Sequence, residues 1–219
     1  MLVKILMVDD HQMMIEGYKS VLSLNDKYTV ESTAANNCET AYKIITNPSN
    51  LNVFDLVFLD YSLPPYPQQN IYSGEDLALL VRKYMPNTKI IMLTTHSDAI
   101  KLFTIVKKVQ PNALVVKSDF QPEQLIEILN KVLEGFTYYS ELVHERIKER
   151  LLSQGLLDRI DRQIIVLISE GFLIKSIATQ LNVSEDTVKK RKSKIKDLLG
   201  IEKGSDEDIL KECRLLGLL

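Results

Sequence analysis

The sequence is poor in cysteine, with two in 219 residues, Cys38 and Cys213, set far apart. No Cys/His ligand spacing accompanies them, which argues against a disulfide framework and against a zinc site. Long apolar runs are missing too. The opening stretch M-L-V-K-I-L-M-V-D-D is too short for a secretory leader, and no run reaches membrane length. These absences predict a cytoplasmic protein without a membrane partner. A surplus of either charge is also lacking. With 27 Lys+Arg against 29 Asp+Glu, the net charge of −2 steers the whole chain toward no nucleic acid. The distribution is less even than the total. Residues 156–219 hold twelve Lys/Arg and eleven Asp/Glu, and six of those twelve cations lie between Lys189 and Lys196.

The length suits two domains, and the patterning changes character once. In the first stretch, short apolar runs alternate with amphipathic segments. Strand signals fall at Val3 to Val8, Tyr28 to Ser32, Asn52 to Asp60, Lys89 to Leu93 and Ala113 to Val116. Helical spacing falls between them and after them, at Gln12 to Leu24, Cys38 to Ile45, Glu75 to Tyr84, Ala99 to Val109 and Pro122 to Leu133. The run Leu56-Val57-Phe58-Leu59 is bulky, unbroken and ends on a carboxylate, as a parallel strand covered on both faces would. Five strands alternating with five helices predict a doubly wound parallel sheet over residues 1–136.

In such a sheet the carboxyl ends of the strands form the site. Here those ends carry Asp9 and Asp10, Asp60, Thr94, and Lys117. Three convergent carboxylates repel one another and call for a cation, and Mg2+ suits a few carboxylates with waters and a phosphate. A carboxylate oxygen is also a competent phosphoryl acceptor, forming an acyl phosphate. Lys117 and Thr94 supply the ammonium and the hydroxyl that the transferred group needs.

This set, D-D at the first strand end, D at the third, T at the fourth and K at the fifth, resembles the receiver domain of two-component response regulators, which has a flavodoxin-like fold. The resemblance implies that Asp60 accepts phosphate from a sensor histidine kinase. It implies that Asp10 binds Mg2+ directly and Asp9 largely through water, joined by Asp60 and the backbone carbonyl of Ser62. Thr94 would bond the phosphoryl oxygen and Lys117 would pair with its charge. Such a domain is not an enzyme and catalyses only its own phosphoryl transfer and dephosphorylation. His11 reads as a solvated or helix-starting residue, and His96 as a surface one. Three departures stand out: Leu114 where the family carries an aromatic ring, Thr95 where a small residue is usual, and a long, proline-rich loop Tyr61 to Ser73.

Residues 137–155 lose the alternation and read as a partly helical connector. From residue 156 onward every segment looks helical. Ser184 precedes Glu185 and Asp186 as a helix N-cap would. At 100° per residue Val188, Ile195 and Leu199 share one stripe, with Lys189, Lys190 and Ser193 opposite. Two short helices around a tight turn, the second with a basic face, describe a helix-turn-helix.

The run E-G-F-L-I-K-S-I-A-T-Q-L-N-V-S-E-D-T-V-K-K-R-K-S-K-I-K-D-L-L-G-I is similar to the four-helix LuxR/NarL-type DNA-binding domain, over residues 156–219. That likeness implies double-stranded DNA as partner. Lys189, Lys190 and Ser193 would face base edges, while Lys175, Ser184, Thr187, Lys192 and Lys194 would line the backbone side. It also implies a homodimer on DNA, with RNA polymerase as a further partner. Ile209, Leu215 and Leu216 would form either a dimer contact or the end of the core. The expectation is a transcription regulator switched by phosphorylation of Asp60. The rival reading keeps the DNA binding and drops control by phosphate.

Overall fold

The computed structural model describes residues 1–50, 53–153, 155–201 and 203–219. Asn52, placed above in the third strand, and Gln154 of the connector lie outside them. The chain forms two compact units, Met1–Val143 and His144–Leu219.

The first unit is a parallel sheet of six strands in the order β2-β1-β3-β4-β5-β6: Leu2–Val8 (β1), Thr29–Ala35 (β2), Leu56–Asp60 (β3), Lys89–Thr94 (β4), Ala113–Val116 (β5) and Tyr138–Tyr139 (β6). The helices are Gln12–Leu22 (α1), Cys38–Thr46 (α2), Gly74–Tyr84 (α3), Ala99–Val109 (α4) and Gln124–Leu133 (α5). This is the expected flavodoxin-like fold with one addition. Five strands were expected, and a sixth of two residues pairs with β5 inside the segment read as connector. Two residues are too few to leave a periodic signature.

Alternation along the strands splits the core in two. Val3, Ile5 and Met7 of β1, Leu56 and Phe58 of β3, Ile91 and Leu93 of β4, and Ala113 and Val115 of β5 pack in one cluster with Ile15, Tyr18 and Leu22 of α1 and Leu125, Ile128, Leu129 and Val132 of α5. The alternate residues Val57, Leu59, Ile90 and Met92 are equally buried, so the central strands are covered on both faces. Burying each such side chain contributes about 1.5–3 kcal/mol, and β3 and β5 are buried at every residue.

The order of strands reverses between β1 and β3, which puts a crevice at their carboxyl ends. The long loop after β3 has its own internal structure. It folds into a 3-10 turn at Pro67–Gln69, closed by a Tyr66–Ile71 bridge, with Asn70 in the left-handed region at φ 56°. It is tied to α2 by the Cys38 N–H donating to the Pro64 carbonyl (3.0 Å), by the Tyr42 hydroxyl on Gln69 (3.1 Å) and by edge-on Tyr42–Tyr66 rings.

The second unit contains α7 (Arg159–Ser169), α8 (Ile174–Leu181), α9 (Glu185–Leu199) and α10 (Asp206–Leu215), and α6 (Glu141–Ser153) runs across the boundary. Asn182, left-handed at φ 51°, turns α8 into α9, which Ser184 caps by accepting from the Thr187 N–H. Ile164, Ile168, Ile177, Val188, Ile195, Leu199, Ile209, Cys213 and Leu216 are buried. Ile209 and Leu216 thus complete this unit's core, whereas Leu215 is half-buried.

Helix α3 begins directly against the phosphoacceptor candidate. The Gly74 N–H donates to the Tyr61 carbonyl at 2.9 Å, and a Cβ at Gly74 would collide with the Asp60 carbonyl oxygen and lie 2.9 Å from its carbon. Backbone cannot yield there as a flexible side chain would. Gly74→Ala is therefore expected to cost about 1–3 kcal/mol, read as a lower denaturant midpoint. An unchanged midpoint would show that the turn has room to spare.

Candidate functional site

Asp9 follows β1, Asp60 ends β3, Thr94 ends β4 and Lys117 follows β5, its N–H donating to the Thr94 carbonyl at 2.7 Å. The four meet. The Lys117 ammonium lies 2.8 Å from Asp9 Oδ2 and 3.2 Å from Asp60 Oδ2, so one cation holds two buried carboxylates. Asp60 is 3% exposed, and its Oδ1 has no hydrogen-bond partner. Burial is the largest influence on its carboxyl and lifts its pKa above the ordinary value; Lys117 opposes this and Asp9 adds to it. Tyr18, stacked on Phe58, has a buried hydroxyl without a partner, and burial followed by the charges of Asp9 and Asp60 keeps it protonated.

Asp10 is exposed, and Asp9, Asp10 and His11 bring their ligand atoms within 4.8 Å of one another. Asp60 reaches this group through Lys117. Asp60 is not itself within that group, but the acidic pair is a donor set that fits a hard divalent cation.

Thr94 is fully buried, and its Oγ1 accepts the His96 N–H at 3.0 Å. His96 is not the surface residue expected. Its ring is half-buried, meets Ser62 Oγ at 3.3 Å and stands edge-on to Tyr61 at 5.2 Å and 88°, with the Lys101 ammonium 5.3 Å from the Tyr61 ring centre. Burial and then the charge of Lys101 hold its pKa below the ordinary imidazole value. The loops after β3 and β4 are therefore joined through residues adjoining Asp60 and Thr94, a link that sequence spacing did not reveal. Thr95 is exposed. Leu114 is fully buried, and its register partner Tyr139 in β6 is buried as well. The ring missing at position 114 thus has an aromatic neighbour one strand over.

In the second unit, Lys189, Lys190 and Ser193 are exposed on α9, and Lys175 and Ser184 are exposed nearby. Lys190 makes only a solvent-exposed pair with Asp186. Lys192 differs from the expectation. Its ammonium lies 2.6 Å from Asp206 with 12% of the side chain exposed, so the α9–α10 packing, not a phosphate, holds it. Asp161, fully buried in the first turn of α7, accepts from Arg191 (2.8 Å) and Lys194 (2.7 Å), and Arg191 also grips the N-cap Asp158 at 2.6 Å. That grip holds the Asp158 carboxyl down at about 2. Lys194 stays half exposed.

A doubly wound sheet with an acidic carboxyl edge, feeding a helix-turn-helix unit, is the architecture of a two-unit signalling protein. The sequence places it more narrowly: residues 5–130 match the response regulator receiver domain, and the chain belongs to that family. Relatives include the oxygen regulatory protein NreC of Staphylococcus epidermidis, 27% identical over 212 residues, covering 91% of this chain and 92% of that protein. A nitrate/nitrite response regulator protein homolog of Haemophilus influenzae is 27% identical over 190 residues, 85% of each chain. The RcsB response regulator of Salmonella typhimurium shares the fold, with a TM-score of 0.58 at 22% identity, over 97% of this chain and 98% of its own. Among the described residues no helix is long and apolar enough to cross a membrane.

The raised pKa of Asp60 has a measurable consequence. A group whose folded pKa exceeds its unfolded one contributes fully below the unfolded value, and that contribution is lost as pH rises through the folded one. Asp60→Asn, which mimics the neutral acid, is expected to raise the thermal midpoint at pH 7. The gain should vanish below about pH 4. A midpoint at pH 7 equal to or below that of the parent would contradict it.

Proposed function

We propose that this response regulator is a DNA-binding transcription regulator switched by phosphoryl transfer from a sensor histidine kinase to Asp60. The observation that carries the reading is the division of labour within one carboxylate. Oδ2 of Asp60 is neutralised by Lys117, while Oδ1 is buried and without a partner. Oδ1 is then the nucleophile. It attacks phosphorus, the P–N bond to the kinase histidine breaks, the imidazole leaves with the bonding pair, and an acyl phosphate forms on Asp60. Lys117 follows the charge onto the phosphoryl oxygens. Thr94 Oγ1 already accepts from His96, so its own proton is free to go to a phosphoryl oxygen. Movement of Thr94 would pull on His96 and, through it, on Ser62 and Tyr61. That gives the switch a route that needs no ring at position 114.

Asp9 and Asp10, with Asp60 and the Ser62 backbone carbonyl, are the residues that would hold Mg2+. Bound there, the ion supplies positive charge against the phosphoryl oxygens. Hydrolysis of the acyl phosphate resets the domain, and this self-directed transfer and loss is the whole of its chemistry.

The output is DNA. Lys189, Lys190 and Ser193 present the exposed face of α9 to base edges, and Lys175, Ser184, Thr187 and the half-exposed Lys194 flank it toward phosphates. RcsB has been solved as dimers bound to DNA. The same arrangement here would be a homodimer on half-sites about one helical turn apart, with RNA polymerase as the downstream contact. A coupling of about 1–3 kcal/mol between the units suffices for a switch.

DNA selection with one preparation, with and without a small acyl-phosphate donor and Mg2+, tests the reading. Phosphorylation is expected to tighten binding about 5–150-fold, and Asp60→Asn should lose the difference. Equal affinity in both arms would favour the regulator free of phosphate control that Leu114 admits. Within α8 and α9, Lys189→Ala is expected to relax sequence preference. Lys175→Ala should weaken all sequences alike and lower the salt slope by about one. Equal loss of specificity from both changes would overturn that division.

A further inference from the structure

We propose that His11 is a further ligand of the acidic pocket, and that it shifts the pocket's preference from Mg2+ toward divalent cations with affinity for imidazole, such as Mn2+ and Co2+. The inference rests on the reading above, that Asp9 and Asp10 bind a divalent cation, and adds a residue that sequence reasoning left on the surface.

The distances carry it. His11 Nδ1 lies 2.8 Å from Asp10 Oδ1 and 3.4 Å from Asp9 Oδ1. Adjacent ligands of an octahedral ion with bonds near 2.1 Å lie about 3.0 Å apart, and the two separations bracket that edge. The imidazole nitrogen is therefore spaced from each carboxylate much as two adjacent ligands of one ion are. Asp9 of this group shares the Lys117 ammonium with Asp60, whose Oδ1 is buried and unsatisfied.

The backbone frees the ring for this task. His11 occupies the N-cap of α1, yet its side chain makes no capping hydrogen bond. The cap is kept by main chain: the Met14 and Ile15 N–H groups donate to the His11 carbonyl, and the His11 N–H donates to Asp9 Oδ1. Asp9 is thereby oriented by the same residue whose ring faces its partner. The ring itself is 67% exposed, so an ion can reach it from solvent. Chemistry sets the preference. Carboxylates and water suit Mg2+, whereas an added imidazole favours the later first-row ions.

The test is metal binding by the full-length protein, read without any phosphoryl transfer. Titrations with Mg2+, Mn2+ and Co2+ would be run on the parent, on His11→Ala and on Asp10→Asn. His11→Ala is expected to weaken Co2+ and Mn2+ by about tenfold or more and to leave Mg2+ nearly unchanged. Because the alanine variant keeps the main-chain bonds of the α1 terminus, its fold should survive. A spectroscopic arm is direct: the chain has three histidines, so the His11 ring protons can be assigned, and Co2+ should shift them by direct coordination. His11→Ala weakening all three ions equally, or none, with no shift of the His11 ring, would overturn the inference while the Asp10→Asn loss still supports the pocket. If Asp10→Asn alters no ion's affinity, the cation pocket itself fails.

Discussion

One ammonium shared by two buried carboxylates is the constraint on which the molecule depends. Lys117 comes from the end of β5, Asp9 from the end of β1 and Asp60 from the end of β3, so three strands must be in register for the bridge to close. Two carboxylates buried this deeply would otherwise pay a large desolvation cost. Lys117 relieves that cost incompletely, since it leaves one oxygen of Asp60 without a partner. In this reading the residual strain is the functional group. A more fully satisfied aspartate would be a poorer nucleophile.

The surroundings hold that buried oxygen in place. Gly74 lets α3 start against the carbonyl of Asp60, where any side chain would push the acceptor out of line. The proline-rich loop is fastened to α2 through Pro64, Tyr66 and Gln69. On the other side, Thr94, His96, Ser62 and Tyr61 connect the rims of the site. The same economy recurs in the second unit. The burial of Asp161 is offset by Arg191 and Lys194 of α9, which both reach it and so fix how α9 sits on α7.

The sheet and its acidic edge were legible because both follow from local rules. Strands buried on two faces read as unbroken apolar runs, and the topology then carries whatever residue ends each run into one crevice. Asp9, Asp60, Thr94 and Lys117 could be found that way without knowing any contact. What stayed hidden depends on partners far away in sequence. The likeness to the DNA-binding domain put Lys192 on the backbone side of α9, but only the placement of α10 reveals Asp206 beside it. His96 looked like loop surface until Tyr61 and Ser62 closed on it. The strand Tyr138–Tyr139 is too short to announce itself and exists because β5 offers it an edge. His11 shows the same limit, since nothing in D-D-H says where the imidazole turns.

The central claim is that the unpartnered oxygen of Asp60 is where phosphate is received. The most direct measurement is to expose the protein to a small acyl-phosphate donor with Mg2+, reduce the product with borohydride, and locate the modified residue by peptide mass spectrometry. Reduction converts an aspartyl phosphate to homoserine, and homoserine at position 60 alone is the expected result. Homoserine at Asp9 or Asp10, or an unmodified chain under conditions that consume the donor, would contradict it.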